Sequence, residues 1–397
     1  MNTGTLFRAR AIKNVFGGDA IARVAGKVVF LPGVLAGEEI VGKITGSKGD
    51  YARAEIVEIT TPSPERIKPL CSGMGRCPGC VYGHCSHKFE QEAKLRQLRE
   101  FMRPLGVDPE QIQGFMLEDA PAEFYRNKIR LTMRKAGGEA QLGYVFTDGR
   151  MYPLKNCALA SRAINSKLDE LFADPGFICS LHDRMTLTLR ESADGVTIFR
   201  NTPGKNAPLL REVVLGKDFM VPADGFFQVN NYGMNALTNL MRDFLQQLDC
   251  QYFIDAYAGA GLFGFTAALA GVKKVVGVEA EVGSADAARQ NYRNSGLQEF
   301  EFMQGDAGKL LPEILAAAPA GAAAVFDPPR GGMESPAIRA LNNSHIKNIF
   351  YISCHPATLV RDLGRLQQGN FNIGAVRMID MFPRSAHFET FVQLIRQ

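Results

Sequence analysis

The sequence predicts an α/β protein: an open, doubly wound sheet preceded by a small OB-type β-barrel and a β-rich middle. Three observations carry this. From about residue 250, apolar strands at 251–257, 274–279, 299–303, 322–326 and 347–353 alternate with helical patterns, as in repeated βα units. Two more apolar runs, 371–380 and 388–396, lie close enough to pair as an antiparallel hairpin. Residues 1–62 read as five short strands broken by glycine turns, from "GTLFRARAIKN" to "YARAEIVEIT", which suits a closed barrel.

Between these parts, "TPSPERIKP" (61–69) reads as a linker, "KFEQEAKLRQLREFM" (88–102) as a helix, and 121–222 again as strands and turns. We therefore expect domains at 1–62, 63–222 and 223–397, with the helical run 88–105 packing on the last. Lys plus Arg is 45 against 41 Asp plus Glu, a net charge of +4. So mild an excess leaves any nucleic-acid contact to local patches. No stretch approaches the roughly 18 apolar residues of a membrane helix, and the first residues lack a signal-peptide core. A cytosolic protein with no membrane partner is expected.

"FIDAYAGAGLFG" places Gly259, Gly261 and Gly264 in G-x-G-x-x-G spacing between a strand and a helix. Such glycines let backbone approach a nucleotide-like ligand. Asp255, inside the strand, would repel a pyrophosphate and welcome a cationic sulfonium. Glu279 ends the next strand, where a carboxylate can accept from ribose hydroxyls. Asp306 follows the third strand and suits either an adenine amino group or a helix N-cap. Together these favour S-adenosylmethionine over a dinucleotide.

"AVFDPPRGGM" ends the fourth strand with Asp327, and "FYISCHPATL" ends the fifth with Cys354. In an open parallel sheet the carboxyl ends of the strands face the ligand crevice. Pro356 opens a helix behind Cys354, and a thiol at a helix N-terminus is expected to have a lowered pKa. A thiol beside a methyl donor suggests methylation of uracil C5. Addition of a thiolate to C6 makes C5 nucleophilic, and a base later removes the C5 proton. "FPRSAHFETFVQL" offers His387 and Glu389 as that base, and burial would raise the carboxyl into a useful range. In "YRNKIRLTMRK" (125–135), Arg126, Lys128, Arg130 and Arg134 share one strand face without an acid, a pattern that fits phosphate contacts.

"DGFFQVN", "DAYAGAG", "DPPRGG", "YISCHPATLVRDL" and "DMFPRSAHFET" resemble, in order, the motifs of the RNA (uracil-C5)-methyltransferase family. The resemblance implies a class I SAM-methyltransferase sheet, a TRAM-like barrel, Cys354 as nucleophile and Glu389 as base. It also implies that Gln228, Tyr257, Glu279, Asp306 and Asp327 line the cofactor and uracil pocket. His355, Leu262 and Ala258 depart from the residues usual in the family, which are Asn, Asn and Cys.

"CSGMGRCPGC" spaces Cys71, Cys77 and Cys80 as metal ligands, with His84, Cys85 and His87 nearby. Spacing alone divides zinc from iron–sulfur evenly. The resemblance implies a [4Fe–4S] cluster whose fourth ligand is Cys157, with Cys85 outside the set.

The expected function is SAM-dependent methylation of a uridine in RNA, ribosomal ahead of transfer RNA, by a monomer with no protein partner indicated. An amino-group methyltransferase using D-P-P-R, which would not need Cys354, is one alternative. A non-catalytic RNA-binding protein on the same fold is the other.

Overall fold

The computed structural model describes residues 1–69, 71–115, 120–136, 139–146, 149–201, 207–297 and 299–396. Its N-terminal sheet has six strands, in the order Leu6–Arg10, Glu39–Lys48, Tyr51–Thr61, Lys27–Leu31, Ala20–Val24, Lys13–Asn14. Its two edge strands are consecutive in the chain, so the sheet curls back on itself around Val29, Leu31, Ile40 and Ile44. The run read as one first strand is therefore two. The chain turns a corner at Ala11 and Ile12, whose N–H groups donate to Glu38 and Ile21 carbonyls.

The C-terminal sheet has eight strands: β1 Ile112–Phe115, β2 Tyr252–Ala256, β3 Lys274–Glu279, β4 Glu299–Gln304, β5 Ala323–Phe326, β6 Asn348–Ser353, β7 Phe371–Ile379 and β8 Glu389–Arg396. Their order is β4-β3-β2-β5-β6-β8-β7-β1. Strands β2 to β6 are parallel, and β8 runs antiparallel to both its neighbours. Seven of the eight strands lie within about a residue of the predicted ranges. The eighth, β1, was not expected. It is a short run inside the stretch expected to form the middle domain, and it pairs parallel with β7.

Helices cover both faces. The apolar stripes of α1 His87–Met102, α6 Ala307–Ala317, α7 Ser335–Asn343 and α8 Pro356–Gln367 meet one side, through Leu98, Met102, Leu311, Leu341 and Leu363. Those of α3 Asn231–Gln246, α4 Leu262–Leu269 and α5 Val282–Asn294 meet the other, through Leu237, Met241, Phe265 and Tyr292. The hairpin Leu209–Val214/Lys217–Pro222 joins this second core through Phe219 and Val221. The Asn291 side-chain amide bonds both the N–H and the C=O of Met220. Thus α1, β1 and this hairpin all pack with the C-terminal sheet, although β1 and the hairpin lie within the stretch expected to form the middle domain.

The middle unit is a separate five-stranded antiparallel sheet, Met151–Pro153, Glu139–Val145, Lys128–Ala136, Thr186–Ser192, Gly195–Asn201. The helix Arg162–Ala173, here α2, covers one face through Ile164, Leu168 and Leu171. Among the described residues no helix is long and apolar enough to cross a membrane.

Helix α1 is fastened to the large sheet by buried charge. The Lys94 ammonium, fully buried, lies 2.6 Å from Glu90 and 2.8 Å from Asp380 at the end of β7, and donates to the Phe382 carbonyl. Removing one member of such a set strands the others without solvent. Lys94→Ala should therefore cost about 3–5 kcal/mol of unfolding free energy. Lys43→Ala, which breaks an exposed pair with Glu55, should cost under about 1 kcal/mol. Urea denaturation of both variants checks this, and equal losses would refute it.

Candidate active site

The crevice lies beyond the carboxyl ends of β2, β5 and β6, where the glycine loop and the D-P-P turn meet. Gly259 and Gly261 have φ of +55° and +83°, which glycine adopts without a Cβ penalty. Any Cβ on Gly264 would strike the Tyr292 hydroxyl at 2.1 Å. That hydroxyl and the Gly264 N–H both donate to Asp255 Oδ2, at 2.8 and 2.7 Å. Asp255 is completely buried, and burial raises its carboxyl to about 7. It is therefore the internal tie of the glycine loop, and not the exposed counter-charge expected from the sequence.

Glu279, half-buried at the end of β3, accepts from the Gly259 and Glu281 N–H groups, both at 2.8 Å. Asp306 is exposed and caps α6 by accepting from Lys309 N–H. Tyr257 sits in the left-handed region (φ +61°), and its hydroxyl is buried with no partner among the described residues. Gln228 is buried just before α3, its carbonyl accepting from the Asn127 amide.

Strand register sets the reactive groups. The last ladder pair of β6 and β8 is Ser353 with Thr390. Cys354 and Glu389 adjoin that last pair, and the Glu389 charge reaches the Cys354 thiol. Asp327 ends β5, the parallel neighbour of β6. These groups act on one another. Burial, then the Asp327 charge, holds the Glu389 carboxyl well above the usual carboxylate range. Burial and Asp255 raise Asp327 to about 7. Burial, then Glu389 and Asp327, push the Cys354 thiol up to about 11, and a hydrogen bond from Arg330 offsets only part of this.

The expected low thiol pKa is thus overturned. Helix α8 does begin behind Cys354, but His355 is its N-cap, its Nδ1 accepting from Thr358 N–H. The helix end is spent there, while two buried acids face the sulfur. His387, the other base considered, is pushed down to about 4 by burial and by Arg330 and His355. It lies 3.2 Å from the Arg330 guanidinium, so its Nε2 accepts and the ring is neutral. Arg330 stands in the D-P-P-R motif but was given no role from sequence. Its contacts depend on β5, β6 and β8 ending at the same edge of the sheet. The remaining departures, Ala258 and Leu262, are buried beside the glycine loop.

The cysteine segment docks against this region. Val81 and Tyr82 N–H groups donate to the Arg384 carbonyl, and the Arg384 guanidinium donates to the Cys85 carbonyl and pairs with Glu123. Burial, then the nearby Cys157 and Cys71, raises the Cys77 and Cys80 thiols, and all four cysteines are free. Cys85 points away, its thiol bonded to the Tyr82 carbonyl. His87 is engaged by Asp380. Among the described residues no three His, Cys, Asp or Glu side chains converge tightly enough to hold a single metal ion.

On the basic face, Lys128 is committed to the Asp224 and Gly225 carbonyls. Arg130 and Arg134 have no ion pair among the described residues.

A doubly wound sheet with a glycine loop after its first central strand and acids at its carboxyl edge defines a class I methyltransferase. Residues 214–397 match the family described as tRNA (Uracil-5-)-methyltransferase, and residues 12–57 match the TRAM domain. The C-terminal part is thus similar to tRNA (uracil-5-)-methyltransferases and the N-terminal barrel to a TRAM domain, and the protein is an RNA methyltransferase. A Gloeobacter violaceus protein described as an uncharacterized RNA methyltransferase is 28% identical, over 96% of this chain and 94% of its own length. A Clostridium tetani protein of the same description is 26% identical over 94% and 93%. The crystal structure of Pyrococcus abyssi tRNA (uracil-54, C5)-methyltransferase with S-adenosyl-L-homocysteine shares the fold, with a TM-score of 0.73 at 20% identity, covering 98% of this chain and all of that one.

The crowded acids make a pH prediction. Asp327 binds its proton up to about pH 7 when folded, against 3.8 as a free side chain. Folding therefore takes up protons between those values, and stability falls as pH rises through that window. Asp327→Asn should gain Tm relative to the unsubstituted protein as pH rises from about 4 to 7. A Tm difference that does not change with pH would refute the assignment.

Proposed function

We propose that the protein transfers a methyl group from S-adenosylmethionine to C5 of a uridine in RNA, with Cys354 as nucleophile and Glu389 as base. The observation that supports this is the strand ladder ending at Ser353 and Thr390, which leaves Cys354 and Glu389 beside its last pair, with the Glu389 and Asp327 charges both acting on the thiol. An amino-group methyltransferase has no use for a thiol facing a buried carboxyl, and a retired fold has no reason to keep the pair.

S-adenosylmethionine, when bound, supplies an electrophilic methyl on a sulfonium. The residues present fit it: the Tyr257 hydroxyl is buried and unpartnered, a Cβ on Gly259 would project into open space, and Glu279 and Asp306 edge the crevice. Gln228, on the other side, would hold the uracil with Asp327.

The chain's own groups then account for the protons. The Cys354 thiol gives its proton to a neighbouring carboxylate as sulfur bonds to C6, and the C5–C6 electron pair moves onto C5 and O4. Arg330 favours the thiolate. Once C5 carries the methyl, ionised Glu389 takes the C5 proton, the C6–S bond breaks and the thiolate is restored. A carboxylate whose pKa burial has raised is a stronger base for that step.

The four cysteines fit an iron–sulfur cluster. All are free, Cys71 and Cys157 act on the Cys77 and Cys80 thiols, and Tyr144 lies within hydrogen-bond reach of Cys157 sulfur. The cluster would supply a structural centre between the middle sheet and the catalytic domain. A cytosolic enzyme acting on ribosomal or transfer RNA is the setting we assign. The tRNA in the names of the family model and of the Pyrococcus abyssi enzyme supports transfer RNA as an alternative to the ribosomal RNA favoured from sequence.

Two measurements test these readings. Glu389→Gln should methylate and then stall, accumulating a methylated protein–RNA species stable in denaturing gels, whereas Cys354→Ala should bind RNA and form none. A Cys354→Ala enzyme that still turns over would restore the amino-group reading. Protein purified without oxygen should be brown and contain iron, losing both in Cys157→Ser and neither in Cys85→Ser. Stoichiometric zinc without iron would overturn the cluster.

A further inference from the structure

A cavity of about 580 Å³ opens between the middle sheet and the catalytic domain. Its walls come from the strand leading into the basic face, the first turn of α2 and the first turn of α3. Phe124 and Tyr232 present aromatic surface there, and Tyr232 is 48% exposed. Phe124 is held at φ +57°, a conformation costly for an aromatic residue. The Arg162 guanidinium lies 4.4 Å over its ring.

The polar groups on these walls are mostly acceptors. Asn127 is 3% exposed, and its amide N–H₂ serves the Gln228 carbonyl and Asn231 Oδ1. Its Oδ1 is buried without a partner among the described residues. Such an atom costs stability unless a ligand donates to it. Glu191 also lines the cavity and has no ion pair among the described residues, while the other acid there, Glu123, is paired with Arg384.

We infer that this cavity is a second nucleotide site, taking one unstacked RNA residue near the target uridine, with a base that carries an exocyclic amino group. The inference rests on the RNA-methyltransferase reading. The base stacks on Tyr232 and Phe124, as single-stranded nucleic acids stack on exposed aromatic rings. Its amino group donates both hydrogens, to Asn127 Oδ1 and Glu191, where uracil has only its single N3–H to give. Arg162 and the free N–H groups at the start of α2 face its phosphate. Because the Asn127 amide also holds the Gln228 carbonyl, occupation of this site steadies the loop that would contact the target base.

Short single-stranded RNAs with one uridine, and with 2-aminopurine at a single position on either side of it, test this directly. The chain has no tryptophan, so the probe's emission is read without interference from indole. One probe position should be strongly quenched on binding. Tyr232→Ala should abolish the quench and weaken RNA binding roughly tenfold, with SAM affinity and Tm unchanged. Uridine at that position should weaken binding to the unsubstituted protein by a similar factor, and have little further effect in Glu191→Gln. Methylation of these RNAs without quenching at any position, or a Tyr232→Ala variant with unaltered RNA affinity, would overturn the site. Quenching without methylation would leave the site standing and refute the catalytic reading.

Discussion

Three carboxylic acids and a thiol share the carboxyl edge of one sheet, and in so dry a crevice they cannot all be ionised. Asp255 ties the glycine loop, Asp327 ends β5, Glu389 opens β8, and Cys354 faces the last two. Each negative charge raises the cost of the next. The protein without ligands therefore keeps protons on groups that the proposed chemistry needs ionised. A sulfonium cation in the crevice and the Arg330 guanidinium beside the sulfur both favour ionisation. The site is thus electrostatically incomplete until its substrates enter, which restrains the thiol from reacting with anything else.

The edge also depends on its neighbours. The segment 380–388, which delivers Glu389 to its place, is held by Lys94 on α1, by the Tyr125 hydroxyl on the Pro383 carbonyl, and by the cysteine segment on Arg384. From the barrel, Phe16 packs edge-on against His355, His387 and Phe388. All three units of the chain therefore converge on the few residues that set the base beside the nucleophile. Cys354 itself needs less support, because β6 lies in the interior of the sheet.

Much of this is legible in the sequence because it is encoded locally. Strand ends, the glycine loop and the D-P-P turn follow from short-range pattern, and they place Asp327 and Cys354 over one crevice. What escapes is what depends on partners distant in the chain. Strand β1 has four residues and no signal of its own until β7 offers an edge. Asp255 reads as a ligand contact because nothing local reveals that Tyr292, 37 residues on, will claim it. The thiol's pKa is misjudged for the same reason. The helix behind Cys354 is visible in the sequence, while the acids that outweigh it arrive from β5 and β8. Arg330 and His387 become a pair only when those strands meet.

The central claim is that Cys354 bonds covalently to the pyrimidine with a base poised to release it. RNA carrying 5-fluorouridine in place of the target tests it most directly, because the C5 fluorine cannot be removed as a proton is. After incubation with S-adenosylmethionine, the account predicts a denaturant-stable protein–RNA complex whose modified peptide contains Cys354. That complex should be absent without the methyl donor and absent from Cys354→Ala. A complex that still forms in Cys354→Ala, or none at all with an RNA that is methylated when it carries uridine, would contradict it.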